Sequence, residues 1–256
     1  MNVVLMTTAA NQFGGALIAA YREAGGPRFS TALFVPDRSD VGFPGWSNAY
    51  VAAKLLGAQG AMAHLRPRLP MPLPRRWRGL GLERSWRDAV TDYCDTVVGA
   101  AAPNSPEGLA SLAAAAPDIL VSIGVPYVLS RRVLEIPRLA LNVHNGLLPK
   151  YRGHFATFWE VLEREPRYGV TVHRMAAKVD AGAIVAQETL GWEEASSFAD
   201  LLIRKKRIGG ALLARAVRDA FDSTATAPDK PATPHYGFPK IADLRRWSWK
   251  NRAPNR

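Results

Sequence analysis

One cysteine, Cys94, is all the thiol chemistry in 256 residues. That count excludes a disulfide framework and a cysteine-built metal cluster, and it fits a reducing, cytoplasmic setting. Five histidines add no His/Cys/Asp cluster with ligand spacing, so no metal is expected. Long apolar runs are also scarce. The richest stretch, "LASLAAAAPDILVSIGVPYVL" (109–129), is broken by Pro117 and Asp118. A membrane span needs ~20 consecutive apolar residues, so this stretch reads as a helix followed by a buried strand. "MNVVLMTTAANQF" has no basic n-region and no long h-region, so no signal peptide is expected. Acidic residues are few: 22 against 33 Lys and Arg, a net charge of +11 and a pI near 10.1. Such a chain attracts anions, from phosphorylated metabolites and polyglutamate tails to nucleic acid. The sign alone does not choose among them. The remainder, 48% hydrophobic and 21% charged, is globular composition with enough length for a full core. No internal repeat is visible.

The hydrophobic pattern opens as strand, loop, helix, strand. "MNVVLM" is a short apolar run, "TTAANQFGG" a polar loop, "ALIAAYREAGG" a helix stopped by Gly25 and Gly26, and "STALFVPD" a second strand ended by Pro36. That order predicts an α/β fold with an open, mostly parallel sheet and helices on both faces. Residues 38–90 read as an irregular excursion. Within it "RPRLPMPLPRRWRG" (66–79) mixes prolines with five arginines and cannot form a continuous helix. It is an anion-binding loop, a membrane-surface patch or a solvated surface excursion between sheet elements. Regular structure returns with "DTVVGAAAPNS", then "PEGLASLAAAA" capped by Ser105, then the buried strand "PDILVSIG". "YGVTVHRMAAKVDAGAIVAQETL" reads as two strands around a turn at Asp180–Gly182. "SFADLLIRKKRIGGALLARAVRDAF" is a long amphipathic helix whose "IRKKRIGG" reads as a solvated basic side. After about residue 224 the composition shifts, so 1–224 is expected to form one domain and 225–256 a C-terminal extension, packed on the core or on a partner.

"LNVHNGLLPKYRG" (141–153) breaks the apolar pattern. Asn142 and His144 are two residues apart at the end of a strand and therefore share one face. The segment Pro117–Gln187 resembles the folate-dependent formyltransferase family, which includes glycinamide ribonucleotide, methionyl-tRNA and sugar N-formyltransferases. The resemblance rests on "NVHNGLLPKYRG", with its Asn-x-His strand end, Leu-Leu-Pro and Arg-Gly landmarks, and on the later "GVTVHRMAAKVDAG" with its Asp-x-Gly turn. It implies a Rossmann-like formyltransferase fold, 10-formyltetrahydrofolate as co-substrate, and Asn142, His144 and Asp180 as the catalytic trio. Folate-lining segments then fall on Val125, Pro126, Tyr127, Val128 and Leu129, and on Ala176, Lys178 and Val179. Asn11, Asn145, Arg152 and His173 are further candidates for acceptor binding. A structural ion pair is the competing role for Arg152, and simple packing for His173.

The implied chemistry suits these residue types. Formyl transfer to an amine develops negative charge on the formyl oxygen, which an amide N–H and an imidazolium would stabilise. His144 would shuttle a proton to the leaving nitrogen. Asp180 would orient the imidazole and raise its pKa. Departures from the family pattern narrow the acceptor. The first loop lacks the Gly-Ser phosphate cradle of the glycinamide ribonucleotide enzymes, and the tail is too short for the β-barrel of the methionyl-tRNA enzymes. The expected acceptor is a primary amine on a small anionic metabolite, with a nucleotide-linked amino sugar leading. Other amines, hydrolysis of the folate, and a non-catalytic RNA-binding homologue are the alternatives. A regulatory domain ahead of the core, expected for a hydrolase, is not seen in the sequence. A homodimer is possible, and nucleic-acid or membrane partners are not expected.

Overall fold

The computed structural model describes residues 1–9, 11, 13–37, 55, 85–221 and 235–249. The Pro/Arg-rich segment 66–79, and most of the excursion expected over 38–90, lie outside the described residues. The last part of that excursion is regular, which corrects the expectation. Trp86–Thr91 is a helix whose N-terminus is capped by Ser85 Oγ, accepting from the Asp88 amide at 3.2 Å. Trp86 and Val90 bury its inner face, and that burial gives so short a helix its stability.

Seven strands form one sheet: β1 (Val3–Thr7), β2 (Phe29–Phe34), β3 (Cys94–Gly99), β4 (Ile119–Ile123), β5 (Leu139–His144), β7 (Arg167–Arg174) and β8 (Ile184–Gly191). The spatial order is β3-β2-β1-β4-β5-β7-β8. The first five run parallel, while β7 and β8 are antiparallel to their neighbours. The chain order therefore reverses between β1 and β4. In open α/β sheets, ligands bind beyond the carboxyl ends of the strands beside such a reversal.

Strand alternation divides the core between the two faces. Val3 and Leu5 join a cluster with Leu17, Ile18 and Tyr21 of α1 (Gly14–Glu23), which Leu212, Leu213 and Val217 also enter. Val4 and Met6 point to the other face, against Leu112 and Val133 of the helices Pro106–Ala114 and Arg131–Leu134. The first of these begins as expected, with Ser105 Oγ accepting from the Gly108 amide at 3.1 Å. The long helix Phe198–Arg218 lies on the first face. Among the described residues, no helix is long and apolar enough to cross a membrane.

A third cluster joins the helix Ala156–Leu162, through Phe158 and Val161, to Phe198 and Leu201 of the long helix and to the tail. Leu244 and Trp247 are buried in it, so the described tail residues pack on the body of the molecule. The tail also supplies β9 (His235–Tyr236), which pairs in parallel with β6 (Arg152–Gly153).

Candidate active site

β5 ends where the sequence places its polar pair. Leu141 and Val143 alternate into the helix-covered core, so Asn142 and His144 share the opposite face. β7 runs antiparallel beside β5 and sets His173 opposite Asn142 and Thr171 opposite His144. The Asn142 amide donates from Nδ2 to His173 Nε2 at 3.1 Å, while His173 Nδ1–H donates to the Arg174 carbonyl at 2.9 Å. His173, expected as an acceptor-binding candidate, is thus a direct neighbour of the trio.

After Arg174 the chain leaves the sheet and doubles back. Asp180 sits there with a left-handed φ of 48°, a conformation Asp tolerates better than most residues. Its Oδ2 lies 3.5 Å from His144 Nδ1 and its Oδ1 lies 3.5 Å from His173 Nε2. The Gly153 amide donates to Asp180 Oδ2 at 2.7 Å. Burial works against charge on Asp180, but the neighbouring His173 and His144 rings and the Gly153 amide outweigh it. The carboxyl is held well below the usual range.

His144 is buried, and its Nε2–H donates to the Tyr151 carbonyl at 2.6 Å. Burial lowers its pKa, against the upward pull of Asp180 and the Tyr151 carbonyl. Asp180 raises the pKa as expected, but desolvation of a ring in a nearly water-free position wins.

The loop between His144 and Tyr151 is anchored almost entirely by side chains. Thr157 Oγ1 donates to the Asn145 carbonyl at 2.8 Å, and Thr171 Oγ1 to the Gly146 carbonyl at 2.7 Å. Gln187 Nε2 donates to the Leu148 carbonyl at 2.9 Å. A Cβ on Gly146 would lie 2.7 Å from His144 Nε2 and 2.5 Å from the Ala156 Cβ. Only glycine lets this loop run against the imidazole.

Two further anchors are charged, and one of them, Lys205, differs from the sequence expectation. Lys205, taken with its neighbours for a solvated basic face, has a fully buried side chain, as does Glu160. Lys205 Nζ donates to Glu160 Oε2 at 2.5 Å and to the Asn145 carbonyl at 3.0 Å. Glu160 Oε1 accepts from the Leu147 and Gly169 amides at 2.9 and 3.0 Å. Burial pushes the Glu160 carboxyl up and the Lys205 ammonium down, and each opposes the other's shift. A charge run on a helix usually signals solvent. Its exception here shows only when Glu160, 45 residues earlier, is placed opposite.

Arg152 is engaged within the chain. It is 4% exposed, and Nε and Nη2 both donate to the Val179 carbonyl, at 3.1 and 2.6 Å. It ties down the turn that carries Asp180, and its competing role, a structural ion pair, is replaced by this carbonyl contact. Gly153 follows with φ +100°, and a Cβ there would come within 2.2 Å of the Tyr236 carbonyl. The two residues form β6, three residues ahead of the helix Ala156–Leu162. His154 N then donates to that same carbonyl at 2.9 Å. Tyr236 stacks on Tyr151 with ring centroids 5.3 Å apart.

Val125 and Tyr127 from the loop after β4, and Met175 from the loop after β7, pack against the cluster holding Ala140 and Leu129. Pro126 is partly covered, Val128 is exposed and Leu129 is buried. Ala176 and Lys178 are exposed, and Val179 is half-buried. Asn11 lies at the carboxyl end of β1, near Gly124. Its Oδ1 accepts from Lys206 Nζ at 3.1 Å, and its Nδ2 is buried without a partner. Burial lowers the Lys206 pKa to about 8. Asn145 Oδ1 is likewise buried without a partner. Among the described residues, no group of three or more His, Cys, Asp or Glu could hold a metal ion.

Comparison with known proteins gives this site its setting. A family model described as formyl transferase matches residues 70–217, more than half of the chain. The bifunctional polymyxin resistance protein ArnA of Wigglesworthia glossinidia brevipalpis is 43% identical over 79 residues, which are 30% of this chain and only 12% of that protein. A sugar N-formyltransferase from Shewanella sp. FDAARGOS_354 superposes with a TM-score of 0.56 at 15% identity, covering 95% of this chain and 78% of that one. WlaRD, a sugar 3N-formyl transferase solved in the presence of dTDP and 5-N-formyl-THF, gives a TM-score of 0.56 at 15% identity, covering 92% and 69%. At that identity the likeness is one of fold, and it covers nearly the whole chain. The chain belongs to the formyl transferase family.

Proposed function

We propose that this protein transfers a formyl group from 10-formyltetrahydrofolate to a primary amine of a small anionic metabolite, a nucleotide-linked amino sugar. The observation that carries the proposal is the convergence of Asn142, His144 and Asp180, with His173 behind them, at the carboxyl end of β5. The folate suits the surface flanked by Val125, Tyr127 and Met175, whose apolar side chains would cover a flat ring system. Bound there, it would supply the formyl group. The donor class and the sugar acceptor draw support from the fold shared with the two sugar N-formyltransferases.

The residues divide the work. As an amine attacks the formyl carbon, charge builds on the formyl oxygen. Asn142 Nδ2 has one N–H engaged with His173 and a second suited to that oxygen. Neutral His144 has its proton on Nε2, held by the Tyr151 carbonyl, so Nδ1 is the nitrogen that takes a proton. The Asp180 carboxylate faces Nδ1 and favours the charge that results. The imidazolium then gives the proton to the departing folate nitrogen. Asn145 Oδ1 is suited to orient the amine, and Asn11 Nδ2 with Lys206 to meet an anionic group on the acceptor.

The test is release of tetrahydrofolate from 10-formyltetrahydrofolate over nucleotide-linked 3- and 4-amino sugars, glycinamide ribonucleotide, hydroxyornithine and water. Release that requires one amino sugar and disappears in His144→Ala and Asn142→Ala supports the proposal. Release with water alone would make the protein a hydrolase.

A further inference from the structure

The buried Glu160–Lys205 pair is expensive. Two charges taken out of water seldom repay their desolvation, and apolar residues of the same volume usually fold as well or better. What distinguishes this pair is where its hydrogen bonds go. Of the four, one joins the two side chains and one takes the Gly169 amide of β7. The other two hold the Asn145 carbonyl and the Leu147 amide, the first and third residues after His144. The Leu147 carbonyl in turn accepts from the Tyr151 amide at 3.0 Å, and the Tyr151 carbonyl receives the His144 Nε2 proton. An unbroken run of bonds therefore leads from the pair to the imidazole.

We infer that Glu160 and Lys205 are positioning residues for His144: they fix the loop 145–151 so that the Tyr151 carbonyl holds the proton on Nε2. The inference rests on the proposed role of His144 in formyl transfer. Neither side chain hydrogen-bonds the catalytic ring: their hydrogen bonds reach it through the loop, and the Lys205 charge adds a downward push on the His144 pKa. The pair also bridges the helices Ala156–Leu162 and Phe198–Arg218. The ring's protonation state is thereby tied to the seating of two helices.

The test is the double variant Glu160→Met with Lys205→Met, which keeps the volume filled and removes both charges. Two readouts are taken. One is ¹⁵N NMR of the His144 ring, which reports the tautomer. The other is kcat and KM for tetrahydrofolate release with the acceptor found above. The expected result is a cooperatively melting protein whose Nε2–H signal gives way to a tautomer mixture. Its kcat should fall about 10- to 100-fold, as for a catalytic group displaced by a fraction of an ångström, with KM for folate little changed. If either the tautomer signal or kcat stays at the wild-type value, the inference is overturned. Should the double variant fail to fold, Glu160→Gln decides by the same two readouts. It retains the shape but sets an NH2 group against either the Lys205 ammonium or the Leu147 and Gly169 amides, and an unchanged signal or rate there overturns the inference equally. The NMR readout needs no substrate. A wild-type protein that releases no tetrahydrofolate would defeat the transfer proposal while leaving the positioning inference to be judged on the ring alone.

Discussion

His144 faces an oxygen from each of its two nitrogens, one backbone carbonyl at 2.6 Å and one carboxylate at 3.5 Å. The shorter contact fixes the resting tautomer, and the longer one waits for a proton. Loss of either polar partner at the strand end should therefore be felt in kcat. His144→Ala is expected to lose about 10²- to 10⁴-fold and Asn142→Ala about 10²- to 10³-fold, with little change in KM for folate. Steady-state kinetics on both variants checks this, and a variant losing KM instead would reassign its residue to binding. The acid limb of the rate profile should lie below the usual histidine value of ~6.5, because burial holds the folded ring neutral. Stability has the same sign. The unfolded chain binds the His144 proton first, so this contribution is complete above about pH 6.5 and is lost as pH falls toward the lower folded value. Asp180 adds a second loss below the ordinary carboxylate range, since its folded carboxyl is held down. Melting temperature should therefore fall from about pH 7.5 to pH 5, and less steeply in His144→Gln. Equal slopes would assign the acid sensitivity elsewhere.

β6 and β9 are two residues each, yet they close the site. Gly153 donates its amide to Asp180 while its α-carbon lies under the Tyr236 carbonyl. Gly153→Ala brings together a disfavoured φ and that clash. The expected outcome is a lower melting temperature and a loss of kcat larger than the loss of stability alone explains. Full activity in a stable Gly153→Ala protein would show that the clamp does not set Asp180. Trp247→Ala removes a buried ring from the cluster with Phe158 and Phe198 and should cost about 3–5 kcal/mol in denaturant unfolding. These small elements also mark the limit of what the sequence reveals. β5 was legible because two polar residues at period 2 interrupt an apolar strand, and Asp180 because Asp-x-Gly forms a turn. The sheet was legible from its apolar runs. β9 has no period to read, and for Arg152 neither acceptor binding nor an ion pair pointed to the Val179 carbonyl. Lys205 looked solvated because a helix face is read from its own residues, whereas its burial is set by Glu160 on another helix.

For the molecule as a whole, a net charge of +11 creates a field that reaches about a Debye length, ~10 Å at 0.1 M salt. An anionic acceptor should show a KM that rises with ionic strength, whereas a neutral amine of similar shape should not. Kinetics in about 0.05 and 0.5 M salt separates the two, and a flat response for a diphosphate-bearing acceptor would remove the basic surface from substrate capture. The tail adds a different kind of constraint, one of time. A ribosome delivers the strand His235–Tyr236 and the anchor Trp247 after the whole seven-stranded sheet and the long helix, at about 5–20 residues per second. Until they emerge, Gly153 has no strand to pair with. The nascent chain would therefore carry its polar trio for some seconds without the clamp, and a product cut short before residue 235 would never acquire it.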